Sequence, residues 1–302
     1  MRNTAQWQLR TRSLELGRRT LVMGVVNLTP DSFSGPGFFR APDEAIAHAM
    51  QGLEEGADLL DLGAESTRPG SRAGCAHPLV DAAEEQARLL PVIEGILKAR
   101  PDAVLSVDTY KAATARAAIE AGAEIINDVS GFSWDAALPE VCAACGVGVV
   151  VSHTRGQPGQ WRAQPQLPIQ TLLATVRDGL AASLATARTA GIAPERLVLD
   201  PGYGFGKNFD ENYKLLVRQE ELLALGRPLL AGLSRKSFLG HTLAPLFGAS
   251  DAPHNRRGPA SLAAMTAAIL HGASIVRVHE VRPAVEAACI ADALLDAARE
   301  GA

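Results

Sequence analysis

The chain is predicted to be a single-domain (β/α)8 TIM barrel with a short N-terminal extension. Three observations carry that prediction. Eight apolar runs punctuate the sequence, at 20–27, 58–68, 104–108, 125–128, 147–153, 197–200, 228–236 and 275–279. The intervals between them have helical periodicity. The runs are nearly continuously apolar rather than alternating, as parallel strands covered on both faces must be. A barrel of this kind needs about 250 residues, and 302 are present. The alternative, a doubly wound open sheet, gathers ligands at one switch point. Here every run instead closes on a residue capable of chemistry. A polar group ending a buried strand is costly unless it faces a cavity or a partner, so eight of them imply one shared mouth.

Residues 1–19 read as a polar extension, a hairpin able to cap the barrel floor, and residues 20–302 as the barrel. Helices are expected at 42–55, where Ala45, Ile46, Ala49 and Leu53 share a face, and at 81–99, through Leu89, Leu90, Val92, Ile93 and Leu97. Others are expected near 111–121, 136–145, 168–190, 210–226, 259–271 and 283–299. The joints E-E-G-A-D (54–58), E-A-G-A-E (120–124) and L-H-G-A-S (270–274) put Gly where a helix stops in a left-handed turn. The segment 259–271, P-A-S-L-A-A-M-T-A-A-I-L-H, is apolar around most of its circumference. An outer barrel helix needs one apolar stripe, so a second buried face, a subunit interface, is expected there.

Composition excludes several classes. Apolar residues make up 47%, charged residues 21%, and the net charge is −4. That balance gives no electrostatic case for nucleic acid or an anionic membrane. No run approaches the roughly 18 apolar residues of a membrane span, and M-R-N-T-A-Q-W-Q-L-R has no secretory apolar region. A cytoplasmic enzyme is the expectation. Cys142 and Cys145 form a C-x-x-C inside an expected helix with no second pair nearby. They read as packed, reduced thiols rather than a redox or zinc pair.

The strand ends carry the chemistry. Asn27 opens N-L-T-P-D-S-F-S (27–34), a turn in which Pro30 fixes φ. The second run leads into E-S-T-R-P-G-S-R (65–72). Asp108, Asn127 and Asp200 close the third, fourth and sixth runs. Two carboxylates and an amide suit a flat heterocycle with an amino-pyrimidinone edge, since carboxylates accept from ring N–H and NH2 groups while an amide both donates and accepts. The segment D-P-G-Y-G-F-G-K-N (200–208) fails the phosphate-loop pattern, with Pro201 at the first Gly and Asn208 after the Lys. It reads as a glycine-rich wall. S-R-K-S (234–237) and R-V-H (277–279) end the last two runs, where such barrels bind phosphate. Lys236, Arg277 and His279 make that corner cationic, with Arg277 and His279 on one strand face. Arg256 and Arg257 are expected to be solvated loop charges.

Together these motifs, in order over roughly residues 20–282, resemble those of dihydropteroate synthases. The resemblance implies condensation of 6-hydroxymethyl-7,8-dihydropterin diphosphate with 4-aminobenzoate, releasing pyrophosphate, in folate biosynthesis. It implies that Asp108, Asn127, Asp200, Lys236 and Arg277 hold the pterin, and that Phe33, Thr67, Pro69, Phe205, Ser234 and Lys236 form the aminobenzoate site. Asn27, Arg68, Arg277 and His279 would bind the diphosphate, with Asn27 also a ligand for Mg2+. Lys236, Arg277, His279, Asn27 and Arg68 would form the catalytic set of a dissociative, SN1-like substitution. A homodimer, sulfonamide sensitivity and small-molecule substrates alone are implied. The chain departs from the family at S-G-P-G-F-F (34–39), at the long loop after R-P-G, at Ser152 and Thr154, where Met is commoner, and at R-G-P-A-S-L-A-A. The alternatives are a pterin-dependent methyltransferase barrel, which needs no cationic diphosphate corner, and a non-catalytic pterin-binding module.

Overall fold

A computed structural model describes residues 2, 4–29, 42–65 and 80–300. Eight parallel strands close a barrel: β3 (Leu21–Asn27), β4 (Leu59–Gly63), β5 (Leu105–Asp108), β6 (Ile125–Asp128), β7 (Gly148–Ser152), β8 (Leu197–Asp200), β9 (Leu229–Ala231) and β10 (Ala273–Val278), which pairs back onto β3. Helices α1 (Pro42–Glu54), α2 (Ala82–Ala99), α3 (Ala112–Glu120), α4 (Leu138–Cys145), α5 (Ile169–Ala190), α6 (Phe209–Leu216), α7 (Ser237–Leu243), α8 (Gly258–Leu270) and α9 (Val281–Glu300) lie between and after the strands. An antiparallel hairpin, β1 (Ala5–Gln8) and β2 (Ser13–Leu16), precedes them.

Strand parity divides the core. Leu60, Leu62, Leu105, Val107, Ile126, Val149, Val151, Leu197 and Leu199 pack outward against the helices. Their neighbours Leu59, Val104, Ile125, Val150, Val198, Leu230 and Ile275 turn inward with Leu21 and Met23. The hairpin joins this inner cluster through Trp7, Leu9 and Leu16. It therefore plugs the floor with hydrocarbon, anchored by the Trp7 indole N–H donating to the Arg196 carbonyl at 2.9 Å. Arg196 returns a bond to the Leu9 carbonyl at 2.7 Å. Gly148 permits the approach, since a Cβ there would lie 2.5 Å from Leu9 Cδ2.

Successive side chains alternate across a strand, so the inward row continues upward from each apolar floor residue. Above Leu59 comes Asp61; above Val104 come Ser106 and Asp108; above Ile125, Asn127; above Val150, Ser152; above Val198, Asp200; above Ile275, Arg277. The barrel is thus hydrocarbon below and polar above, and its polar residues converge because the sheet closes.

Three expected elements end early. The second run yields strand only over Leu59–Gly63, and the seventh only over Leu229–Ala231, leaving Ser234 and Lys236 on a loop. The helix expected at 210–226 breaks after Leu216 and resumes as a 3-10 turn, Gln219–Leu225. Gln219 is fully buried there, accepting from the Tyr203 hydroxyl at 2.6 Å and donating to the Ala268 carbonyl at 2.7 Å, a geometry that an uninterrupted surface helix does not reach. Cys142 is buried in α4 and Cys145 half-buried, both free thiols. Among the described residues no helix is long and apolar enough to cross a membrane.

Trp7→Ala removes the largest side chain of the floor plug. It is expected to cost about 3–5 kcal/mol of folding free energy, read as a lower midpoint in denaturant unfolding followed by circular dichroism.

Candidate active site

The inward row at the C-terminal end of the strands builds two linked clusters. In the first, Arg277 from β10 spans two carboxylates. Its Nε donates to Asp61 Oδ2 at 2.6 Å and its Nη2 to Asp108 Oδ2 at 3.0 Å. Asn127 from β6 donates from Nδ2 to the same Asp61 oxygen at 3.0 Å. Asp61 is fully buried, whereas the Asp108 side chain retains 28% of its exposure. Burial pushes the Asp108 carboxyl up to about 7 despite Arg277. Burial opposes the Arg277 charge, but Asp61 and Asp108 outweigh it and raise the arginine further above its ordinary value.

In the second cluster, Asp200 closes β8. Its Oδ1 accepts from the Gly202 amide at 2.8 Å and its Oδ2 from the Ser152 hydroxyl at 3.1 Å. Burial raises its pKa against those bonds and the nearby Lys236. Lys236 opposes the upward shift of both Asp108 and Asp200, so one cation serves both clusters. Its Nζ stands 3.9 Å from the centroid of the Phe205 ring, a cation–π contact.

The loop after β8 is shaped by its glycines. Gly202, Gly204 and Gly206 adopt φ of +70°, +81° and +70°, conformations that other residues rarely hold. A Cβ on Gly206 would lie 2.7 Å from Arg155 Cβ. Lys207 points inward beneath this loop, its Nζ donating to the carbonyls of Gly202 at 2.7 Å and His153 at 3.2 Å. Burial lowers its pKa to about 7. Arg155 and Glu211, both buried, pair at 3.2 Å and lace this loop to the one after β7. Phe205 is thereby set between Trp161, at a 5.0 Å centroid distance, and Lys236.

The loop after β9 turns on Arg235, a non-glycine residue at φ +57°. Its amide donates to Ser261 Oγ at 2.9 Å, its carbonyl accepts from Arg257 at 3.2 Å, and its guanidinium pairs with Glu280 at 2.6 Å. Those bonds hold a conformation costing roughly 1–2 kcal/mol for an L-residue. Ser234 on one side meets His279 Nδ1 at 2.9 Å. Lys236 on the other opens α7.

The structure thus brings Asp108, Asn127, Asp200, Lys236, Phe205, Ser234, Arg277 and His279 to one end of the barrel, with half-buried Asn27 closing β3 at the same level. Phe33, Thr67, Arg68 and Pro69 lie outside the described residues, as do Pro30 and the S-G-P-G-F-F segment. Arg257 contradicts the expectation of a solvated charge. It is 7% exposed and donates to the Ala252 carbonyl, to Asp251 at 2.6 Å and to the Arg235 carbonyl. Its charge is spent on the turn that carries Ser234 and Lys236. Arg256 is exposed. Reading the ends of the apolar runs missed Asp61, Ser152 and Lys207. Asp61 was detectable by period-two alternation, two positions beyond Leu59. Among the described residues, no group of three or more His, Cys, Asp or Glu could hold a metal.

A barrel of this construction has known relatives. The model of the pterin binding enzyme family matches residues 23–279, and the chain belongs to that family. Its relatives include dihydropteroate synthases. Dihydropteroate synthase of Bacillus subtilis is 37% identical over 284 residues, covering 94% of this chain and 92% of the relative. A Yersinia pestis dihydropteroate synthase solved with a sulfonamide drug superposes with a TM-score of 0.86 at 39% identity, covering 97% and 99% of the two chains. The Burkholderia cenocepacia enzyme complexed with 7,8-dihydropteroate superposes at 0.81 with 39% identity, covering 98% of each. Within the pterin binding enzymes, the chain belongs with the dihydropteroate synthases.

The raised Asp108 pKa has a signed consequence for stability. Below about 4 both folded and unfolded chains hold this proton, and between about 4 and about 7 the unfolded chain alone releases it. Ionisation over that window therefore favours unfolding. Asp108→Asn is expected to remove this share of the decline in stability from pH 4 to 7, at most about 1.4 kcal/mol per pH unit. Urea unfolding of both proteins at a series of pH values reads the difference in slope.

Proposed function

We propose that this chain condenses 6-hydroxymethyl-7,8-dihydropterin diphosphate with 4-aminobenzoate, giving 7,8-dihydropteroate and pyrophosphate. The observation that carries the reading is the sharing of one barrel mouth by two carboxylates, an amide and two cations. Asp108, Asn127 and Asp200 offer acceptors and a donor to the pterin edge. Asp200, held at both oxygens by Gly202 and Ser152, presents its remaining lone pairs in a fixed direction. Lys236 and Arg277 stand beside the ring, and Arg277 and His279 face the departing diphosphate, a role the family resemblance extends to Arg68. Phe205 and Ser234 line the aminobenzoate side, a role the family resemblance extends to Phe33, Thr67 and Pro69.

The chemistry follows from those placements. The reacting carbon is attached to a conjugated ring, so diphosphate can leave before the amine bonds, and the carboxylates stabilise the positive charge left behind. The cationic corner stabilises the leaving oxygens. An aniline nitrogen is already nucleophilic, so the residues need to orient it rather than deprotonate it first. Asn27 fits a divalent ion: its amide oxygen is a hard donor, half-buried at the end of β3 and hydrogen-bonded to no other described residue. Bound there with diphosphate oxygens, Mg2+ would neutralise leaving-group charge.

Two settings belong to the same reading. Free thiols at Cys142, Cys145 and Cys289 suit a reducing cytoplasm. The outward positions of α8, Pro259, Ala263, Thr266 and Leu270, carry no charge, and Leu270 is 40% exposed, which supports a homodimer through this helix. Leu270→Glu is expected to convert a dimer to a monomer in light scattering coupled to size exclusion. A wild type that is monomeric at micromolar concentration would end the dimer proposal.

The activity is tested by pyrophosphate release on mixing both substrates with Mg2+. Asp200→Asn is expected to lower kcat/KM for the pterin diphosphate about 10–100-fold, the worth of a charged hydrogen bond. A sulfonamide is expected to compete with aminobenzoate. Methyl transfer from a methylated pterin with no pyrophosphate release would favour the methyltransferase reading instead.

A further inference from the structure

We propose that Asp61 is a positioning residue of the pterin pocket, its single buried carboxylate setting the orientation of the Asn127 amide and the placement of Arg277. The inference rests on the reading that Asn127 and Arg277 contact the pterin, and extends it to a residue one layer further down.

Asp61 Oδ2 is shared. It receives Asn127 Nδ2 at 3.0 Å and Arg277 Nε at 2.6 Å, within a carboxylate that has no exposure at all. An amide has two faces of opposite polarity. Were the Asn127 amide turned over, its oxygen would face the carboxylate oxygen at the same separation, two acceptors without a proton between them. Only one orientation therefore gives this pair a hydrogen bond. It commits one N–H to the floor and leaves Oδ1 and the second N–H for a ligand. A free amide would present donor and acceptor in either order, so Asp61 determines which ring edge Asn127 matches.

Arg277 is placed by the same atom. Its fork touches Asp61 through Nε and Asp108 through Nη2. Of the two carboxylates, only Asp108 is partly exposed. A ring that donates hydrogen bonds to Asp108 draws on the upper anchor. The lower anchor, sealed beneath Arg277, stays and keeps the guanidinium from swinging into the ring site.

The test uses the full chain and the isosteric, neutral Asp61→Asn. Binding of 6-hydroxymethylpterin is measured by calorimetry, and KM for each substrate by pyrophosphate release. The expected result is a Kd for the pterin about tenfold weaker, a comparable loss in kcat/KM for the pterin diphosphate, and an aminobenzoate KM within twofold of wild type. In an Asn127→Ala background the same substitution should weaken pterin binding less than threefold, because the Asn127 route is gone and only the Arg277 route remains. Equal shifts for both substrates, or full multiplication of the two single effects, would overturn the proposal. Where Asp61→Asn fails to fold, the wild type decides. With 15N-labelled asparagine, one Asn127 side-chain proton should exchange with solvent far more slowly than its partner, and rapid exchange of both sinks the idea. A wild type that neither binds pterin nor releases pyrophosphate would defeat the proposed function, while the Asn127 exchange signal would still report on Asp61.

Discussion

Asp61 and Asp108 project into a barrel whose lower half is closed hydrocarbon, and Arg277 is the cation that spans them. Removing a carboxylate from water costs several kcal/mol even after relaxation, and breaking such a pair by deleting one partner costs about 3–5 kcal/mol. The floor network is therefore a charge constraint before it is a binding surface. It requires a guanidinium whose fork can reach two acids on adjacent strands, which a lysine point charge cannot do in the same way. Asp200, on the far side of the ring of strands, relies on Ser152, the Gly202 amide and Lys236 instead.

Around this floor, the loops spend much of their polarity on one another. Lys207 holds carbonyls of the β7 and β8 loops, Glu211 ties Arg155 to the Leu167 amide, and Arg257 braces the left-handed Arg235. Each buried charge finds partners within its own loop system, as low dielectric demands. Phe205 and Ser234 stand where they do because of residues that touch no ligand in the proposed reaction.

The barrel was legible because its strands are buried on both faces and carry eight unmistakable apolar runs. The residues at the strand ends were legible for the same reason: Asp108, Asn127 and Asp200 each interrupt hydrocarbon. Asp61 escaped because it sits inside its run, where position along the strand says less than parity. Lys207 escaped because a lysine in a glycine-rich segment looks like solvent-facing punctuation, and only the closed fold turns it inward. Arg257 was misread on the same ground: nothing local in P-H-N-R-R-G tells which of two adjacent arginines will be buried under a neighbouring loop. The early break of the helix near 217 has a tertiary cause too, since Gln219 is drawn in by Tyr203 and by carbonyls from a distant element.

The hairpin floor has a bearing on traffic. With Trp7, Leu9 and Leu16 filling the lower end, molecules arrive and depart through a single doorway. Whatever occupies the deepest seat must come first and go last, because a later arrival stands in its path. In the proposed reaction, a pterin seated on the strand-end residues would therefore have to arrive before an aminobenzoate held by the loops above it.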